Sequence, residues 1–377
     1  MTNHAQVPAS PRRRMPKPNV AAAGVAVAAS LLAGCSSGDG NGPRTPGPAT
    51  ASHRESHTPA TRAPATEPPA TRGPSTGAPA PKSAAFAPYV DTSLRPSYDL
   101  LKGAAETGVK EYNLAFVSPG GGCTPKWGGR QALSGNPVAR QADALRAQGG
   151  DVRISFGGQS GNELARVCGS VDRLVRAYNE VIDAYHLTKV DFDIEGPALT
   201  DTRANGLRAR AIARLQRQHK DLDVSFTLPV LPSGLNRHAV AVLKNAEENG
   251  VRTSTVNIMA MDYGTYYDGD MGKYAITAAT ATQKQVKTAL GIRGEARAWK
   301  TVGVTPMIGV NDVKVEVFGP DDAAELKRFA DEKGLGRLSM WSVTRDRPCP
   351  GGANSTAQAT CSSIRKNTHE FARAFTG

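Results

Sequence analysis

The sequence predicts an α/β fold in which eight parallel strands close into a (β/α)8 barrel over residues 86–377. Short apolar runs alternate with segments of helical period along this stretch, and the alternation repeats eight times. Polar and aromatic side chains gather at the predicted carboxyl ends of the strands, where such barrels carry their chemistry. A doubly wound open sheet is the alternative, but the Gly-rich phosphate loop common after its first strand is absent from the sequence.

The barrel elements follow one another with short connections. Strands are predicted where apolar, β-branched or aromatic residues run together, over 86–91, 112–117, 152–156, 189–194, 222–228, 255–261, 301–307 and 336–341. Helices are predicted where apolar residues recur with helical spacing, for example over 137–148, 162–184, 203–219, 237–249, 274–289 and 320–333.

Residues 1–35 have the pattern of an export signal. A basic segment, 12–17, precedes an apolar stretch, 20–33, that is too short and too rich in small residues to predict a membrane span. The stretch ends in Leu-Ala-Gly-Cys, which resembles the lipobox of bacterial lipoproteins and makes Cys35 the expected lipidation site. An ordinary signal peptide that contains a cysteine is the alternative.

Residues 36–85 are mostly Pro, Thr, Ala, Ser and Gly, with no hydrophobic run before Phe86. Such a segment buries too little apolar surface to offset its ordering entropy, so we expect a disordered linker. A lipid anchor followed by a linker predicts a domain held at the extracellular face of a bacterial cell membrane, or secreted. The membrane contact is then through the anchor alone.

The charge pattern argues against nucleic-acid binding. The formal net charge is +12, and four of the positive charges lie in 1–35, which leaves +8 on the rest of the chain. The lysines and arginines are spread over predicted helices, without the aromatic-interleaved basic cluster that nucleic-acid binding needs.

Four cysteines remain after Cys35, and export favours disulfides. We expect Cys123–Cys168 and Cys349–Cys361, because each pair links neighbouring loops. Zinc is the rival, but there is no C-x-x-C and the spacings do not suit a zinc site. No metal or cofactor is expected.

The segment VDFDIEG places three carboxylates at alternate positions of a predicted strand. Side chains alternate between the faces of a strand, so Asp191, Asp193 and Glu195 share one face. In the barrel they form an inward row, with Glu195 nearest the open mouth. Stacked carboxylates share protons, and one of them is kept neutral by a raised pKa. A structural acidic cluster or a cation site is the alternative interpretation.

A neutral acid at the mouth supplies what glycosidic cleavage needs, a proton donor for the leaving oxygen. Most glycosidases also need a second carboxylate across the sugar, whereas these carboxylates come from one strand. That arrangement favours the substrate-assisted mechanism, in which the 2-acetamido oxygen of the sugar attacks the anomeric carbon. Asp193 would orient the acetamido group, and Asp191 would tune Asp193.

These residues resemble glycoside hydrolase family 18, the chitinase family, over essentially all of 86–377. The family signature D-G-x-D-x-D-x-E corresponds to 188–195, TKVDFDIE, and the family motif S-x-G-G corresponds to 155–158, SFGG. The family tryptophan on the eighth strand, the floor under the distorted sugar, corresponds to Trp341. The resemblance implies that Glu195 is the general acid/base, that Asp193 orients the acetamido group and that Asp191 supports it.

The sequence departs from the family pattern at two places. Thr188 and Lys189 replace the first Asp-Gly of the signature, at its deepest and least chemical positions. On the sixth strand, where the family has M-x-Y-D, the sequence reads MAMD, so Met261 replaces a tyrosine that donates a hydrogen bond to the acetamido oxygen. Losing such a donor costs orders of magnitude in rate. Tyr263 or Tyr89 is a candidate substitute.

Further candidate substrate contacts lie at the ends of the predicted strands. They are Trp341, Tyr263, Asp262, Met259, Tyr89 and Ser155. Each of four residues also has a purely structural interpretation. Trp341 is then a core residue, Asp262 and Tyr263 are strand-end capping residues, and Ser155 is a packing or support residue.

The function predicted is a glycosidase that cleaves β-1,4-linked N-acetylglucosamine polymers by a retaining, substrate-assisted mechanism. An endo-β-N-acetylglucosaminidase is a close variant. The alternative from another class is a chitinase-like lectin that binds the sugar without turnover; Glu195 favours the enzyme and Met261 the lectin. The partner expected is an N-acetylglucosamine-containing poly- or oligosaccharide, bound by a monomer. The short connection between strands seven and eight predicts a shallow, open cleft.

Overall fold

The computed structural model describes residues 83–377. The predicted export signal, Cys35 and nearly all of the predicted linker lie outside the described residues. Within 83–377, no helix combines the length and apolar composition that crossing a membrane requires.

The strands lie close to their predicted positions. In chain order they are β1 Ala85–Phe86, β2 Tyr89–Asp91, β3 Glu111–Pro119, β4 Pro125–Trp127, β5 Asp151–Gly157, β6 Lys189–Asp193, β7 Asp223–Leu231, β8 Gly234–Leu235, β9 Thr253–Ala260, β10 Val302–Pro306, β11 Gly309–Val310, β12 Val317–Phe318 and β13 Arg337–Leu338. The antiparallel additions β4, β8 and the β11–β12 hairpin were not predicted.

The helices are α1 Leu100–Thr107, α2 Ala142–Ala147, α3 Leu164–Val167, α4 Val171–Ala184, α5 Gly196–Thr200, α6 Thr202–Gln218, α7 Arg237–Glu248, α8 Met271–Ala289, α9 Glu295–Lys300, α10 Pro320–Lys333 and α11 Glu370–Thr376. The prediction of one helix over 162–184 is wrong at its start. The chain breaks between α3 and α4, where Cys168 is tied into a disulfide and Gly169 adopts a φ of +60°.

The predicted first strand, 86–91, is divided into β1 and β2 by Ala87 and Pro88, and this break closes the barrel. β1 pairs in parallel with β13, and β2 pairs in parallel with β3. Across the break, the Ala87 N–H donates to the Leu338 carbonyl, while the Pro88 carbonyl accepts from the Asn113 N–H. Proline has no N–H for a ladder, so the interruption is local. The sheet order β1-β13-β10-β9-β7-β6-β5-β3-β2 is therefore a closed, parallel (β/α)8 barrel, as predicted.

The hydrophobic core lies between the strands and the surrounding helices. On the outer face of neighbouring strands, Phe156, Phe192 and Phe226 form a row of rings with centroids 5.4 and 5.9 Å apart, and Tyr178 of α4 packs edge-on against the first two. This layer fixes which side chains of β5, β6 and β7 point outward. The alternate residues of each strand therefore point into the barrel.

Both predicted disulfides are present. Cys123 and Cys168 tie the loop after β3 to the break between α3 and α4, and Cys349 and Cys361 close a loop near the carboxyl end of the chain. Disulfides of this kind persist in oxidising compartments.

Candidate active site

The three carboxylates of the fourth barrel strand follow the predicted alternation. Asp191 and Asp193 are 1% and 4% exposed and point into the barrel. The intervening residues of β6 are fully buried on the other face. β6 ends at Asp193, but the Ile194 N–H still donates to the Thr227 carbonyl. That pairing keeps the alternation for one more step and brings half-buried Glu195 to the carboxyl end of the barrel, just before α5.

Asp191 sits in a shell of hydroxyl groups. Its Oδ2 accepts from Ser155 Oγ at 2.7 Å and from the Tyr89 hydroxyl at 3.0 Å, and its Oδ1 accepts from Ser225 Oγ at 2.6 Å. Thr227 Oγ1 lies 3.0 Å from both oxygens. The four hydroxyl side chains come from three different strands, β2, β5 and β7, so the shell exists only in the closed barrel. Hydrogen bonds to the charged form stabilise a buried carboxylate.

Asp193 lies above Asp191 in surroundings that favour its neutral form. Burial, then the negative charges of Glu195 and Asp191, raise the pKa of Asp193 well above its usual range. Asp193 also hydrogen-bonds the carboxyl group of Glu195, which requires a proton on one of the two. Its Oδ1 is buried and has no hydrogen-bond partner among residues 83–377. A buried polar atom without a partner is costly, so a ligand group is the natural complement.

Glu195 has the ionisation of a general acid/base. Burial raises its pKa to about 7, the hydrogen bond from Asp193 opposes that rise, and the negative charge of Asp262 adds to it. A group with a pKa near neutral pH both gives and takes a proton with little free-energy cost.

A cleft of about 290 Å³ opens above this row, at the carboxyl ends of the strands. Its aromatic wall is formed by Trp341, Phe116 and Tyr89, with the Phe116 and Trp341 rings stacked at a centroid distance of 5.6 Å. Asp193 and Glu195 line the cleft beside that wall. An apolar surface next to a few convergent polar groups is typical of a small-ligand site.

Two consecutive glycines allow the acids and the aromatic wall to come this close. Gly157 has a φ of +107°, and a Cβ built on it would lie 2.1 Å from the carbonyl oxygen of Asp193. Gly158 has a φ of +96°, and a Cβ there would lie 2.8 Å from Cδ2 of Phe116. The S-x-G-G motif therefore sets both the backbone position of Asp193 and the place of the Phe116 ring.

The residues predicted after the sixth barrel strand separate in space. Met259, Met261 and Asp262 line the cleft, but Tyr263 does not. Asp262 has a φ of +50°, which turns the chain. Tyr263 is consequently buried in an aromatic cluster with Tyr267 and Tyr274, away from the carboxylate row.

Neither candidate tyrosine is placed to replace the donor lost at Met261. Tyr263 lies outside the cleft, so its prediction as a substrate contact does not agree with the structure. Tyr89 lines the cleft with its ring, but its hydroxyl is directed below Asp193, to Asp191 and Thr227. Ser155 likewise contacts Asp191 and does not line the cleft, which places it as a support residue.

Several cleft residues were not predicted as substrate contacts. They are Phe116, Gln159, Thr227, Pro229, Val230, Thr305 and Met307. Most are apolar or β-branched and lie in or near strands, where the sequence gives no reason to separate them from the core. Gln159 had a local signal, because it directly follows the two glycines.

The sequence is similar to known proteins over most of the described chain. Over 283 residues it is 36% identical to a probable bifunctional chitinase/lysozyme of Escherichia coli strain K12, a match that covers 71% of this chain and 31% of that protein. Over 275 residues it is 34% identical to Endochitinase 11 of Metarhizium anisopliae, covering 70% of this chain and 52% of that protein. The chain thus spans about a third to a half of the length of these two relatives. No protein-family model matches the chain.

The fold is also similar to solved structures. The catalytic domain of a hyperthermophilic chitinase from Pyrococcus furiosus matches with a TM-score of 0.71 and 33% identity, over 78% of this chain and 94% of that one. Catalytic-site mutants of active domain 2 of the thermostable chitinase from the same organism, complexed with chito-oligosaccharides, match with a TM-score of 0.69 and 32% identity. The Pyrococcus furiosus domain is thus matched at 33% identity over nearly its whole length, which is enough to assign the chain to a family. With its carboxylate row and closed barrel, the chain belongs to glycoside hydrolase family 18, the chitinase family.

Proposed function

We propose that this protein hydrolyses β-1,4-linked N-acetylglucosamine polymers by a retaining, substrate-assisted mechanism. The observation that carries the proposal is the carboxyl group of Glu195, whose pKa is raised to about 7 at the edge of a cleft with an aromatic wall. The relatives named above are described as chitinases, and one of them is complexed with chito-oligosaccharides.

In the first step, Glu195 gives its proton to the glycosidic oxygen while the bond between that oxygen and the anomeric carbon breaks. The acetamido oxygen of the same sugar forms the new bond to the anomeric carbon, which gives an oxazolinium ion. In the second step a water attacks that carbon, Glu195 takes the proton from the water, and the acetamido group is restored. Two inversions give net retention.

Asp193 has the position and the free acceptor needed to hold the acetamido group. Asp193 lines the cleft and its buried Oδ1 lacks a partner among the described residues, so Oδ1 would accept a hydrogen bond from the acetamido N–H. That bond would turn the acetamido oxygen toward the anomeric carbon. As positive charge develops on the oxazolinium ion, a shift of the Asp193 proton toward the Glu195 carboxylate would leave negative charge beside that ion, a stabilising arrangement in a dry site. The same proton would return to Asp193 in the second step, which frees Glu195 to take the proton of the attacking water.

The lectin remains the second candidate, and one observation favours it. Met261 lines the cleft where the family has a hydrogen-bond donor, and neither nearby tyrosine hydroxyl reaches that place. Removing one such donor costs about 10²–10³ in rate. We therefore expect a slow enzyme, with the intact Glu195–Asp193 pair retaining most of the catalytic effect.

The test uses the full-length chain and chito-oligosaccharides of four to six sugars, with products read by mass spectrometry. Cleavage by the wild type but not by Glu195→Gln supports the enzyme, and the product sizes distinguish internal from terminal cleavage. Binding of the oligomers by both proteins without cleavage would support the lectin. Residues 307–336 hold the β11–β12 hairpin and α10, so we expect an open cleft and internal cleavage.

We also propose that the protein is exported and anchored by a lipid on Cys35. The sequence pattern at 32–35 and the two disulfides, which suit an oxidising compartment, support this. Metabolic labelling with a fatty acid in a bacterial host should label the wild type and not Cys35→Ala. Equal labelling of both would contradict the proposal, and release of the variant into the medium would support it.

A further inference from the structure

A second cavity lies at the opposite end of the barrel from the carboxylate row. It measures about 730 Å³ and is lined by the amino-terminal ends of the barrel strands, from Ala85 of β1 to Arg337 of β13. Nothing in the proposed hydrolysis uses it, because substrate enters at the carboxyl ends. Its chemistry differs as well: six cationic and three anionic side chains line it.

Several of the cationic side chains at this end are paired with carboxylates or backbone carbonyls. Lys189 Nζ lies 2.7 Å from Glu111 Oε1, and Arg153 Nη1 lies 2.9 Å from Asp223 Oδ1. Arg252 donates to backbone carbonyls nearby. Among residues 83–377, the remaining cations of the cavity, Arg297, Lys300 and Arg337, have no such partner, and of these three only Arg337 is buried.

Arg337 is that buried cation. It is 7% exposed, and its guanidinium makes no hydrogen bond or ion pair with any residue of 83–377, although it lines the cavity. Arg153 beside it is 3% exposed, and its Nη2 also lacks a partner in the described chain. Burial, and then the positive charge of Arg153, lower the pKa of Arg337 to about 10, while the negative charges of Asp223 and Asp191 oppose that change, so Arg337 stays charged at neutral pH.

The lining of this cavity carries more positive than negative charge. Six cationic side chains face three anionic ones. Arg153 is paired with Asp223, but its Nη2 has no hydrogen-bond partner among residues 83–377, and Arg337 forms no ion pair with any of those residues. A buried charge without a full partner is costly, so an anion is the natural complement of this lining.

We propose that this cavity binds a small phosphate-class dianion, either free phosphate or a phosphomonoester, through Arg337 and Arg153. Guanidinium groups match tetrahedral oxyanions because their paired N–H groups bind two oxygens at once. Exposed Arg297 and Lys300 at the rim add attraction without a fixed contact. The residues that line this cavity are not those that line the carbohydrate cleft, and the proposed hydrolysis does not use them.

The experiment titrates inorganic phosphate, and separately glycerol 3-phosphate, into the full-length chain in chloride buffer of matched ionic strength. Binding is followed by calorimetry and by thermal unfolding. We expect saturable binding with one phosphate per chain, and a rise in Tm of about 3 °C at ten times the dissociation constant. Binding of only one of the two compounds identifies the source of the phosphate group.

The decisive variant is Arg337→Gln, and the matched control is Arg217→Gln, an exposed arginine that does not line the cavity. Affinity for phosphate should fall at least tenfold in Arg337→Gln and stay unchanged in the control. Equal loss, or equal retention, in the two variants overturns the proposal. If Arg337→Gln does not fold, the wild-type titration still decides: absence of saturable binding would mean that Arg337 is a hydrated cation only.

Discussion

Replacing Gly157 by alanine should greatly reduce activity, because it displaces the backbone that positions Asp193. A matched glycine elsewhere in the chain provides the control. The Cβ of an alanine at 157 would lie 2.1 Å from the Asp193 carbonyl oxygen, whereas real Cβ contacts are essentially never below 3.0 Å. Because the obstacle is backbone, β5 and β6 must separate by about 1 Å at the position that aims Asp193. The φ of +107° adds strain of its own.

Gly121 provides the control. Its φ of +102° is nearly the same, but a Cβ there meets nothing within 4 Å. Gly121→Ala should therefore report backbone strain alone, about 1–2 kcal/mol, or roughly 2–8 °C in Tm. Gly157→Ala should cost that strain plus the displacement, about 4 kcal/mol in total or more.

Activity separates the two variants further. A 1 Å misplacement of a catalytic group costs about 10²-fold in rate, so folded Gly157→Ala should lose at least that factor toward chito-oligosaccharides. Gly121→Ala should keep the wild-type rate. Thermal unfolding and initial rates on the same preparations give both numbers. Equal Tm values for the two variants, or an activity loss below tenfold in Gly157→Ala, would refute the reasoning.

Three further predictions follow from the same site and its supports. Because the folded-state pKa of Glu195 is raised from 4.5 to about 7, the contribution of this group to stability is present below pH 4.5 and is lost as the pH rises toward 7. The free energy of unfolding of the wild type should therefore fall more steeply across that pH range than that of Glu195→Gln. The value of kcat/KM should fall about tenfold per pH unit above pH 7, where Glu195 loses its proton. Phe116→Ala should weaken oligosaccharide binding by leaving Trp341 unsupported, measurable by calorimetry, while Phe116→Tyr should retain most of the affinity. Glu163→Gln should cost about 3–5 kcal/mol in chemical unfolding, because Arg208 is 1% exposed and would lose the carboxylate 2.6 Å from its Nη2; a cost below 1 kcal/mol would contradict this.

The sequence predicts the barrel and its acids well because both depend on local periodicity. Alternation in the segment around Asp193 determines which side chains point inward, and the eightfold repeat of strand and helix restricts the topology to a closed barrel. The pair of glycines at 157 and 158 was visible as a motif. Its reason, the approach of the Asp193 carbonyl and of the Phe116 ring, is tertiary and appears only in the structure.

The parts that the sequence missed depend on non-local geometry. Phe116 is an apolar residue within a strand, which predicts a place in the core, yet its ring lies in the cleft wall. Tyr263 follows a strand end and was expected at the substrate, but the positive φ of Asp262 directs it elsewhere. Arg337 lies at the start of the last strand, where a charged residue predicts a solvent-exposed end, and the closure of the barrel buries it.

The polar groups inside the barrel depend on one another from end to end. Arg337 at the amino-terminal mouth is attracted by the charge of Asp191, and that charge in turn raises the pKa of Asp193. Asp193 then hydrogen-bonds Glu195 and limits how far burial raises the pKa of the acid/base. In an interior of low dielectric such charge–charge interactions are strong. A change of charge at Arg337, at the amino-terminal ends of the strands, therefore alters how Asp193 and Glu195 share protons at the carboxyl ends. A strand can hold three carboxylates on one face because hydroxyl groups and the charge of Arg337 stabilise Asp191, while a shared proton stabilises Asp193 and Glu195.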